Sequence, residues 1–136
     1  MTNLLVDTSV AVPLVLASHV GHDRVSAAVG DRSVALAGHA RYEAYAVLTR
    51  LPGDARLSPA DAVRLLDERF DRAAVLDARS ARAALAVLAG LEIAGGATYD
   101  GLIGLAARSS GLPLASRDRR AEGTYRRLGV EVELLS

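Results

Sequence analysis

The sequence predicts a single three-layer α/β/α domain around a mostly parallel central sheet, and three observations carry that reading. Short apolar runs of strand length alternate with one or two helix-length segments, the pattern that sets parallel strands between crossover helices on both faces. The chain has 136 residues, 51% of them hydrophobic, which is enough for one real core and too little for two ordinary domains. With one Phe, four Tyr and no Trp, that core must be built from Ala, Leu and Val, whose small side chains let helices lie close against a sheet.

In order along the chain, residues 3–7 read as a buried strand. Thr8 or Ser9 then caps a helix, with Pro13 near its first turn or kinking it. His19 to Val29 predicts a second helical stretch closed by Gly30, and Ser33 to Ala37 a short strand. After Gly38, a helix runs from about His39 to Leu51 and stops at Pro52-Gly53. Ser58-Pro59-Ala60-Asp61 is a strong helix start: serine caps, proline takes the first helical position, and aspartate resembles the acidic partner of a capping box. That helix reaches about Phe70. Ala73 to Leu76 reads as a third strand, and Asp77 caps an Ala-rich helix ending near Ile93. Gly95-Gly96 breaks the chain, Thr98 caps, and a helix runs to about Ser110. A strand at 113–115, a helix over about 119–128 ended by Gly129, and a strand from Val130 to Leu135 complete one domain over residues 1–136.

Composition narrows the function. The 16 basic and 16 acidic residues cancel, which does not favour bulk binding to nucleic acid. Every basic residue is Arg, and Arg117, Arg119, Arg120, Arg126 and Arg127 crowd around Asp118, where guanidinium forks suit phosphate oxygens. There is no Cys, so neither disulfides nor thiolate metal sites can form. The apolar stretch Val10 to Ala17 is too short to span a bilayer and follows a strand rather than a basic leader, so the expected location is the cytoplasm. Without Lys the chain carries no Walker motif. A phospho-receiver would also want a late Lys and an acidic pair near the first strand, and Asp7 has no acidic neighbour. Ser9 stands where an aspartyl phosphatase would usually carry its second Asp.

Four acidic residues stand where such a protein places few. Asp7 closes the apolar run Leu4-Leu5-Val6. Glu43 lies on the stripe Ala40-Ala44-Val47-Leu51. Asp100 falls at the start of an apolar helix, and Asp118 follows Leu112-Pro113-Leu114-Ala115. Ligands of parallel α/β sheets bind outside the carboxyl ends of the strands. Asp7 and Asp118 take that position, and the helices bearing Glu43 and Asp100 can reach the same edge. Taken singly, Asp7 is explained as a turn or cap, Asp100 by the helix dipole, and Asp118 as an N-cap. Glu43 on its apolar stripe needs a partner, which Arg50 supplies in the simpler account. Brought together, unpaired carboxylates repel and lose hydration. A hard divalent cation, Mg²⁺ or Mn²⁺, removes that penalty. Ser9 and Ser116 add hydroxyls beside two of the acids. His19, His22 and His39 lack the spacing of a zinc pair and read as surface or capping residues.

Four stretches carry a family likeness: Leu5-Val6-Asp7-Thr8-Ser9, Tyr42 to Pro52 around Glu43, Thr98-Tyr99-Asp100-Gly101-Leu102-Ile103, and Ser116-Arg117-Asp118-Arg119-Arg120-Ala121. In their order and spacing the chain resembles a PIN domain, and more narrowly the VapC toxins of toxin–antitoxin modules, over essentially its whole length. The resemblance implies an Mg²⁺- or Mn²⁺-dependent endoribonuclease with Asp7, Glu43, Asp100 and Asp118 on the family's acidic positions. Asp7, Asp100 and Asp118 would be the nearest metal ligands and Glu43 would ligate through water or orient the attacking water. Ser9 and Ser116 would stand behind the acids as hydrogen-bond partners, and Arg117, Arg119 or Arg120 would hold the RNA backbone. Ser116 occupies a position often taken by Thr, and Glu122 is the loose counterpart of a fifth acid found in some relatives. The likeness further implies single-stranded or loop RNA as substrate, 5′-phosphate and 3′-hydroxyl products, a homodimer, and a cognate antitoxin seated on the apolar helices at 10–17 and 40–51. The alternative is a non-catalytic domain of the same fold that binds RNA or protein without cleaving.

Overall fold

Five short strands hydrogen-bond into one parallel sheet in a computed structural model that describes residues 1–136. Its centre is β1 (Leu4–Val6), flanked by β2 (Val34–Ala37); β3 (Asp71–Ala74) forms one edge, and β4 (Leu114–Ser116) and β5 (Val132–Leu134) complete the order β3-β2-β1-β4-β5. β1, β2 and β4 are buried along their whole length. Helices cover both faces, so these strands read as continuous apolar runs and not as alternation.

Seven helices supply the outer layers. One group is α1 (Thr8–Val15), α2 (His22–Val29), α3 (Ala40–Thr49) and α4 (Pro59–Arg69), which pack among themselves; the other is α5 (Ala78–Gly90), α6 (Ala97–Ser110) and α7 (Arg119–Arg127). No helix is long and apolar enough to cross a membrane. The helix starts follow local chemistry. Ser58 caps α4 through the Asp61 amide with Pro59 in the first turn, and Asp77 caps α5 through the Ser80 amide. Gly129, at φ 79°, makes the left-handed turn after α7.

Some boundaries differ from the sequence reading. α1 is capped by Asp7 and not by Thr8 or Ser9: its carboxylate accepts the Ser9 amide at 3.0 Å, and Thr8 is already helical. α2 begins at His22 because the His19 ring accepts the Gly21 amide at 2.9 Å and closes a turn first. β3 lies two residues earlier than the apolar run at 73–76. Its register is set by Ala35 opposite Asp71 and Ala37 opposite Ala74, and an edge strand needs no fully apolar sequence. α6 starts at Ala97, so Thr98 sits inside its first turn and caps nothing.

The strand order creates the crevice. From β1 the chain steps outward to β2 and β3, then returns through α6 to lay β4 on the other side of β1. The connections beyond β1 and β4 therefore diverge, leaving an opening at their carboxyl ends. Behind it, α6 and α7 approach closely at Gly104, where a Cβ would lie 2.7 Å from Leu128 and 3.3 Å from the Tyr125 ring.

Candidate active site

Asp7 follows β1 directly at this crevice and is only 3% exposed. A buried carboxylate needs donors, and Asp7 has four. Its Oδ1 accepts the Ser9 amide at 3.0 Å and the Ser9 hydroxyl at 2.6 Å. Its Oδ2 accepts the Ser116 hydroxyl at 2.6 Å and the Tyr125 hydroxyl at 2.8 Å. The two serines also accept backbone amides: Arg117 N–H donates to Ser9 Oγ at 2.8 Å and Asp118 N–H to Ser116 Oγ at 3.1 Å. Each serine proton is thus directed at Asp7, and the network has a fixed polarity. Tyr125 is fully buried, and burial together with the Asp7 charge raises its pKa, keeping it a donor.

The other three acids reach the crevice from separate elements. Asp118 caps α7, accepting the Arg120 amide at 2.9 Å. Asp100 lies in the first turn of α6. Glu43 accepts the Thr8 hydroxyl at 3.2 Å. Arg50 forms no ion pair with Glu43, contrary to the simpler account; it is exposed farther along the same wall. The buried stripe of α3 is Ala40, Ala44 and Leu48, so Glu43 turns toward the cavity with Val47 and does not face the core.

All four carboxylates line one open cavity of about 1010 Å³, together with Thr8, Ser9, His19, Arg50, Arg117, Arg119 and Arg120. Ser116 sits beneath it, bonded to Asp7. The carboxylates sense one another. Burial, followed by the charges of Asp118, Glu43 and Asp7, pushes the Asp100 carboxyl up to about 6, with Arg120 opposing. Arg120 lies 3.6 Å from Asp118. Arg117 packs its guanidinium on Gly21, and its Nε is buried without a hydrogen-bond partner. Arg126 and Arg127 turn away: Arg126 pairs with Glu122 at 2.8 Å and Arg127 donates to the Leu91 carbonyl. Glu122 is therefore engaged on the surface of α7 and does not line the cavity.

Sequence reasoning missed Tyr125 and Thr8. Tyr125 lies 118 residues from Asp7 and reads as an ordinary apolar position of an amphipathic helix. Thr8 carried a signal, a hydroxyl beside a candidate acid, but its partner is Glu43 across the crevice.

The PIN domain model matches residues 4–127. The chain belongs to the PIN domain family. Ribonuclease VapC27 of Mycobacterium tuberculosis is 51% identical over 129 residues, covering 95% of this chain and 94% of that protein. Ribonuclease VapC40 of the same species is 44% identical over 131 residues, covering 96% and 97%. Among solved structures, M. tuberculosis VapC20, described as a sarcin-ricin loop cleaving toxin, superposes with a TM-score of 0.66 at 19% identity, covering 88% of this chain and 93% of that one. FitAcB from Neisseria gonorrhoeae gives 0.63 at 19%, covering 95% of both. At that identity these two structures speak for the fold, and the PIN arrangement agrees with the three layers described above.

The donor set of this PIN domain is hard oxygen throughout. No three of its acids or histidines converge tightly enough to enclose an ion by themselves. Oxygen donors of this kind could hold Mg²⁺ or Mn²⁺ only with water or substrate phosphate completing the shell. Asp100 and Asp118 could hold a cation directly, whereas Asp7 already has its oxygens engaged by four donors.

Proposed function

We propose that this chain is a divalent-metal-dependent endoribonuclease that hydrolyses RNA phosphodiesters as the toxin of a toxin–antitoxin pair. The observation that carries the reading is the convergence of Asp7, Glu43, Asp100 and Asp118, from four separate elements, on one cavity at the carboxyl edge of the sheet. The names of its relatives, VapC27 and VapC40, support RNA as the substrate class.

A bound Mg²⁺ or Mn²⁺ would supply a water of lowered pKa and neutralise charge on the phosphate. The chain's residues do the rest. Asp100 and Asp118 would hold the cation, with Asp7 as a rigid third carboxylate beside them. Glu43, steadied by Thr8, orients the attacking water. Ser9, Ser116 and Tyr125 keep Asp7 in place. Arg119 and Arg120, exposed on the rim, grip the RNA backbone, and Arg117 narrows the cavity from the α1–α2 turn. With water adding to phosphorus and the 3′-oxygen leaving, hydrolysis would give a 5′-phosphate and a 3′-hydroxyl, the ends that the PIN likeness implies. The acid-lined floor and Arg rim favour a locally guided single strand over general electrostatic capture, in keeping with zero net charge.

The partners in this reading are a cognate antitoxin and a second copy of the chain, in the cytoplasm. α1 commits Val10 to Leu14 to the core, so the antitoxin would use the outer faces of α1 and α3 and not their main apolar stripes. The competing reading is a PIN fold that binds RNA without cutting it. Asp7→Asn keeps the shape of the side chain and separates the two. Purified wild type should cleave folded RNA only with Mn²⁺ or Mg²⁺, and the variant should lose about 10³-fold or more. Cleavage by the variant at the wild-type rate would defeat the assignment.

A further inference from the structure

We propose that the rings of His39, Tyr42 and Tyr99 form a stacking platform for an unpaired base of the RNA whose backbone enters the acidic cavity. This inference rests on the RNA-cleaving reading of that cavity and names a part of the substrate it takes.

Tyr42 and Tyr99 are 66% and 52% exposed, among the few large hydrophobic side chains left open to solvent. They are not scattered. His39 lies between them, stacked on Tyr99 with centroids 5.2 Å apart and planes 20° from parallel, and tilted against Tyr42 at 6.1 Å. The cluster joins the starts of α3 and α6. Tyr42 and Tyr99 occupy the same first turns of α3 and α6 as Glu43 and Asp100, on faces outside the acidic cavity. Beside them is a notch of about 220 Å³ lined by Gly38, His39, Tyr42, Val75, Leu76 and Leu102. No formally charged side chain lines it.

The two surfaces are carried by the same two helix starts, and together their chemistry is complementary to that of a nucleotide. The Arg rim of the acidic cavity addresses phosphate. The aromatic and apolar surface next to it has nothing for a phosphate and suits the π-face of a neutral base. Zero net charge gives the chain little long-range hold on RNA, and stacking supplies affinity that does not depend on charge. Because every base has a π-face, the platform positions the strand without reading its sequence.

The test compares a short single-stranded oligoadenylate with an abasic ribose-phosphate strand of equal length, by fluorescence anisotropy in EDTA. Wild type should bind the base-bearing strand about tenfold more tightly. Tyr42→Ala/Tyr99→Ala should bind both strands alike, with its affinity for the abasic strand unchanged, and Tyr42→Phe/Tyr99→Phe should retain the preference. Thermal melting of the three proteins checks the fold, and the Phe pair carries the test if the Ala pair melts early: a lost preference there would overturn the platform. So would a wild type with no preference, or an undiminished one in a folded Ala pair. A dimer that becomes monomeric in sedimentation while the preference stays intact would assign the rings to a second copy of the chain, and would equally overturn it. No step depends on cleavage, so failure of Mn²⁺-dependent hydrolysis is read separately.

Discussion

Asp7 and Asp100 line the same cavity and are the same residue type, yet the fold treats them oppositely. Asp7 is buried and accepts four hydrogen bonds, the two from serine hydroxyls directed by backbone amides behind them. Asp100 is half-buried, has no such donors, and feels three neighbouring carboxylates. One acid is compensated by the protein. The other is left uncompensated. That division is how a fold can hold a site in shape and still keep it electrostatically unsatisfied, and strained charge of this kind clusters at functional sites.

The most severe way to break the contrast is Asp7→Ala. It leaves the hydroxyls of Ser9, Ser116 and Tyr125 without their acceptor in a buried place, and should cost about 4 kcal/mol of stability by urea unfolding. A loss under 1 kcal/mol would mean that the cage does not hold the fold together. Tyr125→Phe removes one donor and almost no volume. Its expected cost is about 2 kcal/mol, with Mn²⁺ affinity by calorimetry falling several-fold as Asp7 loosens; an unchanged affinity would make Tyr125 a core residue only.

The smallest effect has the opposite sign. Asp100→Asn should stabilise the metal-free protein at pH 7 by about 1 kcal/mol, after discounting the shift for solvent screening. The folded-state pKa of Asp100 is raised, from 3.8 to about 6, so the folded wild type holds a proton that the unfolded chain releases. Its penalty is complete above pH 6, shrinks as pH falls through 6, and is gone near 4. The advantage of the variant should follow that curve in thermal melts. Added Mn²⁺ should reverse it by stabilising wild type alone. A flat difference across pH would show that the repulsion is not felt.

Much of this was legible in sequence because it is local. Continuous apolar runs mark β1, β2 and β4, and Ser58-Pro59 and Asp77 mark helix starts, since the physics acts within a few residues. Asp7 and Asp118 could be grouped because strand ends in a parallel sheet share an edge, and Glu43 and Asp100 because their helices start near it. What lay beyond reach was pairing at long range. β3 has its register set by β2 and not by its own apolarity. Glu43 takes Thr8, across the crevice, where helical spacing had suggested Arg50. The donor from Tyr125 arrives only because Gly104 lets α7 lie close on α6, a packing detail no periodicity records.

The sequence distances inside the Asp7 cage, 109 residues to Ser116 and 118 to Tyr125, have a consequence in time. During synthesis Asp7 emerges 109 residues before Ser116 and 118 before Tyr125. Domains fold as units and long-range contacts form late. A nascent chain short of Tyr125 therefore carries the acids before the cage that fixes Asp7 can close, and the site takes its geometry only after the sheet and α7 have come together.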